Sequence, residues 1–130
     1  MHLLYKIRNA AGEKEAAEAL LRRAVKIEPN NCQFACDLSM LLYLKRDLPG
    51  AEQNARNAIR LGPRNAQAHN LMGMIFTEVN RGHAGEYHYR MALKLHQPIG
   101  KLIANLGLNL RNQGKLEEAE DCYRRAVEME

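Results

Sequence analysis

Residues 65–98 read NAQAHNLMGMIFTEVNRGHAGEYHYRMALKLHQP. Asn65 is a favoured helix N-cap and follows Pro63, a residue that cannot continue the preceding helix. His69, Met72, Gly73 and Phe76 then fall at i, i+3, i+4 and i+7, which is one face of a helix. Asn80-Arg81-Gly82 interrupts the pattern. Gly85, Tyr89 and Ala92 resume it at i, i+4 and i+7, and Pro98 closes the stretch. The pattern predicts a helical hairpin in which the small residues Gly73 and Gly85 let two backbones approach closely. Its apolar face is too wide for the hairpin to bury alone, so a neighbour must cover the rest.

That neighbour is in the same chain. Ala17, Ala51, Gly85 and Ala119 stand 34 residues apart, and so do Ala24, Ala58, Ala92 and Ala126. Gly73 and Gly107 keep the same interval, as do Pro29 and Pro63. Leu38, Ser39 and Leu42, then Leu106, Gly107 and Leu110, repeat the first-helix face. Leu21, Ala55, Tyr89 and Tyr123 repeat the second. Gly12 and Gly114 take the turn between the helices, where the middle repeats carry Arg46 and Asn80. A fixed period in this range marks a stacked repeat. The expected fold is therefore all-α, an α-solenoid of helix–turn–helix units. It forms a single domain over 1–130 with units near 1–31, 32–65, 66–99 and 100–130, the first and last truncated.

Composition excludes the main alternatives. A chain of 130 residues is ordinarily one domain. With 46% hydrophobic residues, no Trp and two Phe it suits helix-on-helix packing rather than an aromatic-rich sandwich. No stretch alternates apolar and polar residues, and no Asn-Gly or Asp-Gly hairpin turn occurs. The longest largely apolar run, 38–44, is too short to span a bilayer. Met1-His2-Leu3-Leu4 lacks the basic start and cleavage site of a signal peptide. Three unpatterned Cys predict reduced thiols and a cytoplasmic setting.

The chain resembles the tetratricopeptide repeat, whose signature runs W-x₂-L-G-x₂-Y, A-x₃-F, P. Asn105-Leu106-Gly107, Gly114-Lys115-Leu116-Glu117-Glu118-Ala119 and Tyr123 carry the resemblance best, and it extends over essentially the whole chain. It implies a right-handed superhelix whose work is protein binding. The Trp is absent throughout, and Ser39 replaces the first-helix Gly. The third unit has Gly82 and His83 where an apolar residue and a helix former usually sit. Its second helix, 82–96, is expected to be the least stable, since an interior Gly costs roughly 1 kcal/mol against Ala. Terminal repeats normally carry a polar cap. None follows in this sequence, so a segment of a longer protein is expected, with weak self-association through uncapped ends.

The net charge of +4 is organised as a ladder. Glu18, Glu52, Glu86 and Glu120 each stand four residues before Arg22, Arg56, Arg90 and Arg124, with Lys26, Arg60 and Lys94 as a third rung that Glu128 breaks. Glu before Arg at i, i+4 is the favourable helical ion pair, worth roughly 0.2–0.5 kcal/mol each. This stripe predicts a solvated, self-paired face on the second helices. It lacks the interleaved aromatics that stack nucleic-acid bases. No nucleic-acid or membrane partner is expected.

Little in the sequence supports chemistry. Asp37 and Asp47 have no placed partner carboxylate, and Ser39 lies in a packing face rather than a nucleophile elbow. Gly82-His83-Ala84-Gly85 follows no strand, so it is no phosphate loop. Cys32 and Cys36, with His83 and His88, lack zinc-site spacing. No catalytic residue, metal or cofactor is expected.

A binding face is more legible. Gln33, Cys36, Met40 and Tyr43, then Gln67, Asn70, Met74 and Thr77, then Lys101, Ala104, Asn105, Leu108, Arg111 and Asn112 fall on the side of the first helices that points away from the hairpin partner. In a stacked superhelix these would line the concave groove, with Met40, Met74 and Leu108 as an apolar floor. Packing between adjacent first helices explains that floor equally well. The asparagines offer both donors and acceptors to a peptide backbone. Some family members clamp a peptide's terminal carboxylate with Lys, Asn and Arg. Here one register places His2, Lys6, Asp37, Gln67 and Leu71 at those positions, and the other Cys36, Met40, Leu71, Lys101 and Asn105. Only Lys101 matches in type, and Asp37 would repel a carboxylate. The expectation is a non-catalytic module that holds an internal segment of a protein partner. Residues 105–127 also look like the repeat arms of some glycosyl- and sulfotransferases, which makes an arm of a larger enzyme the alternative, with self-assembly a third reading.

Overall fold

The computed structural model describes residues 13–95 and 99–129, all of whose regular structure is helical. Gly12, the clamp positions His2 and Lys6, and the closing Pro98 lie outside the described residues. The chain divides into two compact units, Met1–Pro63 and Arg64–Glu130. In the first, α1 (Lys14–Ile27) packs on α2 (Cys32–Leu44), which forms a hairpin with α3 (Leu48–Leu61). In the second, α4 (Ala66–Glu78) pairs with α5 (Gly82–Leu95), and α6 (Gly100–Asn112) pairs with α7 (Leu116–Glu128). Helix α6 also lies against both α5 and α4.

The helices start where their first residues predict. The Asn31 side chain accepts from the Phe34 N–H at 3.0 Å and Asn65 from the Ala68 N–H at 3.0 Å. Asp47 accepts from the Gly50 N–H at 3.0 Å. Each carbonyl oxygen or carboxylate satisfies an amide the first turn leaves without a partner. At the opposite ends, Arg46, Asn80 and Gly114 have φ of 67°, 65° and 85°. One turn position, repeated at the 34-residue interval, is thus left-handed in all three hairpins.

Packing explains the small-residue columns. A Cβ at Gly73 would sit 2.7 Å from the ring of buried Tyr89, and one at Gly107 would sit 3.1 Å from Tyr123. Ser39 stands in that column in the first unit, opposite a register position filled by Ala55 instead of Tyr. The smaller partner leaves room for the side chain, and the buried Ser39 hydroxyl donates to the Ala51 carbonyl at 2.7 Å. The first unit's core is built on Leu21, Leu38, Leu41 and Leu42, and the second's on Tyr89, Ile103, Leu106 and Leu110.

Gly82, the apparent weak point of α5, has a structural purpose. Its carbonyl accepts from Asn109 at 3.1 Å and Gln113 at 3.2 Å, and a Cβ there would meet the Gln113 side chain at 2.6 Å. The absent side chain admits the amides that tie α5 to α6.

Candidate functional site

The second helices carry the ion-pair ladder at the predicted spacing. Arg22–Glu18, Arg56–Glu52, Arg90–Glu86 and Arg124–Glu120 close at 2.8, 2.6, 2.8 and 2.8 Å. On the third rung, Arg60 donates to the Asn57 side-chain oxygen at 2.7 Å. Glu86 does more than pair along its helix. It also receives Gln113 and Lys115, each at 3.0 Å. Burial pushes the Glu86 carboxyl up, but hydrogen bonds from Arg90, Gln113 and Lys115 together outweigh it and hold the group down at about 2.

The first-helix faces separate into two kinds of residue. In the first unit, Gln33 is exposed, and Met40 and Tyr43 are half-buried, while Cys36 is fully buried and does not reach the surface. Burial, with Cys32 as a close neighbour, pushes the Cys36 thiol up to about 12, so it remains protonated. Asp37 is buried and accepts from Gln33 at 2.9 Å. It therefore does not project a carboxylate into solvent. Cys32 donates to the Ala58 carbonyl at 3.3 Å, and all three cysteines are free thiols.

In the second unit the structure brings part of the predicted set together. Asn105 on α6 donates to the Asn70 side-chain oxygen on α4 at 3.4 Å, and the Asn70 amide reaches the Met74 sulfur at 3.7 Å. Lys101, Leu108, Arg111 and Asn112 follow along the same side of α6 and are exposed, Leu108 by 40%. Ala104 is half-buried among them, and Gln67 is exposed on α4. Met74 is half-buried and packs against the unit's core. Thr77 turns inward. Its hydroxyl donates to the Gly73 carbonyl at 2.7 Å and accepts from Asn109 at 2.9 Å.

Sequence reasoning missed two features. Asn109 is 0% exposed, occupying the position that Leu41 and Ile75 fill in earlier repeats. A polar residue in an apolar column was the available signal. It floors a recess of about 220 Å³ bordered by His83, Asn112 and Lys115. The second feature is a pair of histidines. His69 and His88 meet Nδ1 to Nδ1 at 3.0 Å with rings 27° from parallel, linking α4 to α5. His88 is thus held half-buried against α4, while His83 is exposed at the recess.

Among the described residues, this arrangement brings no nucleophile and base together. It presents a surface of amides, thioether and exposed Leu flanked by cations, carried on paired helices. Fold and site together define an all-α helical-repeat protein of the solenoid class. Models of the tetratricopeptide repeat match residues 100–130 and 7–31. The chain is a tetratricopeptide-repeat protein. It is 28% identical over 130 residues to the human protein O-mannosyl-transferase TMTC3, a match covering 88% of this chain and 14% of that protein. The chain thus spans about a seventh of that curated relative. A solved structure of Pseudomonas aeruginosa pilF superposes with a TM-score of 0.88 at 22% identity, over 98% of this chain and 58% of that one. The crystal structure of MamA superposes at 0.85 and 17% identity, over 97% and 74%. Among the described residues, no helix is long and apolar enough to cross a membrane.

Proposed function

We propose that this chain is a non-catalytic protein-interaction module that holds an internal segment of a partner protein on the first-helix face of its second unit. The observation that carries the reading is the Asn105–Asn70–Met74 series beside exposed Leu108. Amides held by one another at 3.4 Å are pre-oriented, which lowers the entropy that binding must overcome. An exposed Leu next to them supplies apolar area that a partner can cover. Gln33, Met40 and Tyr43 form the corresponding face of the first unit.

The test compares pull-downs from native lysate by the parent chain and by a Leu108→Lys, Asn105→Ala variant. Both positions are off the core, so circular dichroism should show unchanged helicity. A protein captured by the parent and lost from the variant supports the reading. Identical eluates from both move the site elsewhere.

A second reading has one observation behind it, the match to a protein O-mannosyl-transferase. Under it, this chain is the repeat arm of a larger transferase and presents substrate to a catalytic domain. Extending the gene's reading frame past Glu130 decides. Several hundred further residues with a catalytic pattern would favour the arm, and a stop codon would sink it.

A further inference from the structure

Two cations flank the face just described. On the second helices, each ladder Arg is answered by a carboxylate at 2.6–2.8 Å. Lys101 and Arg111 on α6 are exposed, and neither forms an ion pair among the described residues. Helix α6 contains no Asp or Glu, and the facing helix α4 contains only Glu78, its last residue. The α6 N-terminus beside Lys101 has no side-chain cap and no acid in its first turn, so its amide dipoles add positive potential there. Between the two cations lie Asn105 and Leu108, at i+4 and i+7 from Lys101.

We propose that this face selects a partner segment with two internal carboxylates separated by one apolar residue, in the pattern acidic–x–apolar–x–acidic. The proposal rests on the groove reading above and adds the chemistry of the occupant. Lys101 and Arg111 are ten residues apart, roughly 15 Å along the helix. An extended chain advances about 3.3 Å per residue and puts every second side chain on one side. Side chains four residues apart on that side are thus about 13 Å apart, a gap that the flexible Lys and Arg arms absorb. The intervening same-side residue falls about 7 Å along, between Asn105 at roughly 6 Å and Leu108 at roughly 10 Å from Lys101, so a long apolar side chain there reaches Leu108 while the Asn105 amide faces the segment's backbone. Nucleic acid fits less well, because the exposed side of α6 offers no aromatic ring on which bases could stack.

Fluorescence anisotropy with four probes tests this. They are an acetylated, amidated peptide containing Glu-Ala-Leu-Ala-Glu, its Gln-Ala-Leu-Ala-Gln and Lys-Ala-Leu-Ala-Lys analogues, and a single-stranded oligonucleotide. The acidic peptide should bind best, weaken with added salt, and lose about tenfold in affinity with Lys101→Gln and again with Arg111→Gln. Both residues are exposed, and circular dichroism will confirm that both variants fold. If the Gln analogue binds as tightly as the acidic peptide and both need Asn105 and Leu108, charge selection is overturned while the groove stands. If neither binds, or binding ignores all four residues, both fall. An oligonucleotide that binds more tightly than the acidic peptide also overturns the proposal. The blocked peptide termini make any binding a property of internal side chains.

Discussion

At the scale of single residues, the backbone decides the clearest effects. Gly114 has φ of 85°, and nothing lies within 4 Å of where its Cβ would be. Replacement by Ala is therefore a conformational cost with no steric part, and Gly114→Ala should lose about 1 kcal/mol in urea melts. Asn80 holds φ of 65° at the same repeat position, so Asn80→Gly should be neutral or stabilising by about 0.5 kcal/mol. An equal loss from both substitutions would mean that something other than handedness sets this position. Gly73 presents the opposite case. Its Cβ would lie 2.7 Å from a ring buried to 3% exposure, and that ring cannot withdraw. Gly73→Ala should cost about 1–3 kcal/mol despite the higher helix propensity of Ala. A variant that melts with the parent would show that Tyr89 has freedom the packing does not suggest.

At the scale of elements, the Glu86 network sets how α5 is tied to the end of α6. Three donors hold this carboxyl at about 2, below its ordinary 4.5. The sign follows from linkage: a depressed carboxyl contributes its stability above about 4.5, and the contribution fades as pH falls from there toward 2. Glu86→Gln should therefore reduce stability near neutral pH by about 1–2 kcal/mol, after allowance for partly exposed partners, and differ little from the parent near pH 2. A constant gap across that range would remove the ionised form as the cause. Helix identity and pairing were legible in the sequence because the columns at Ala17, Ala51, Gly85 and Ala119 keep one phase. The cross-hairpin ties were not. Gln113, Gly82 and Glu86 are joined through backbone carbonyls and side-chain rotamers, and a residue's type does not reveal them. The placement of the first-helix side chains was half legible. Helical spacing placed Asn70, Met74, Asn105 and Leu108 together, but it could not say that Thr77 would turn to Gly73 or that Cys36 would be enclosed. Each position lies near the edge of its face, where a small rotation of the helix decides between solvent and core.

At the scale of the whole molecule, repeats contact mainly their neighbours in sequence, so stability is expected to be local rather than shared evenly. The described structure has this character. Leu21, Leu38, Leu41 and Leu42 are enclosed within the first unit, and Tyr89, Ile103, Leu106 and Leu110 within the second. A lesion placed in one core should thus be felt first in the same unit. Gly73→Ala serves as the lesion because it strikes the α4–α5 contact without adding charge. Native-state hydrogen exchange on this variant should show faster exchange for amides in α4, α5 and α6. Amides near Leu41 in α2 and Ala55 in α3 should keep most of their protection. Equal acceleration in all seven described helices would mean that the chain opens only as one cooperative body, and the division at Pro63 would then have no energetic counterpart. A local response would also identify which first-helix face survives mild destabilisation. The first unit's Gln33, Met40 and Tyr43 would stay presented, while the Asn70–Asn105 series would be lost with its unit.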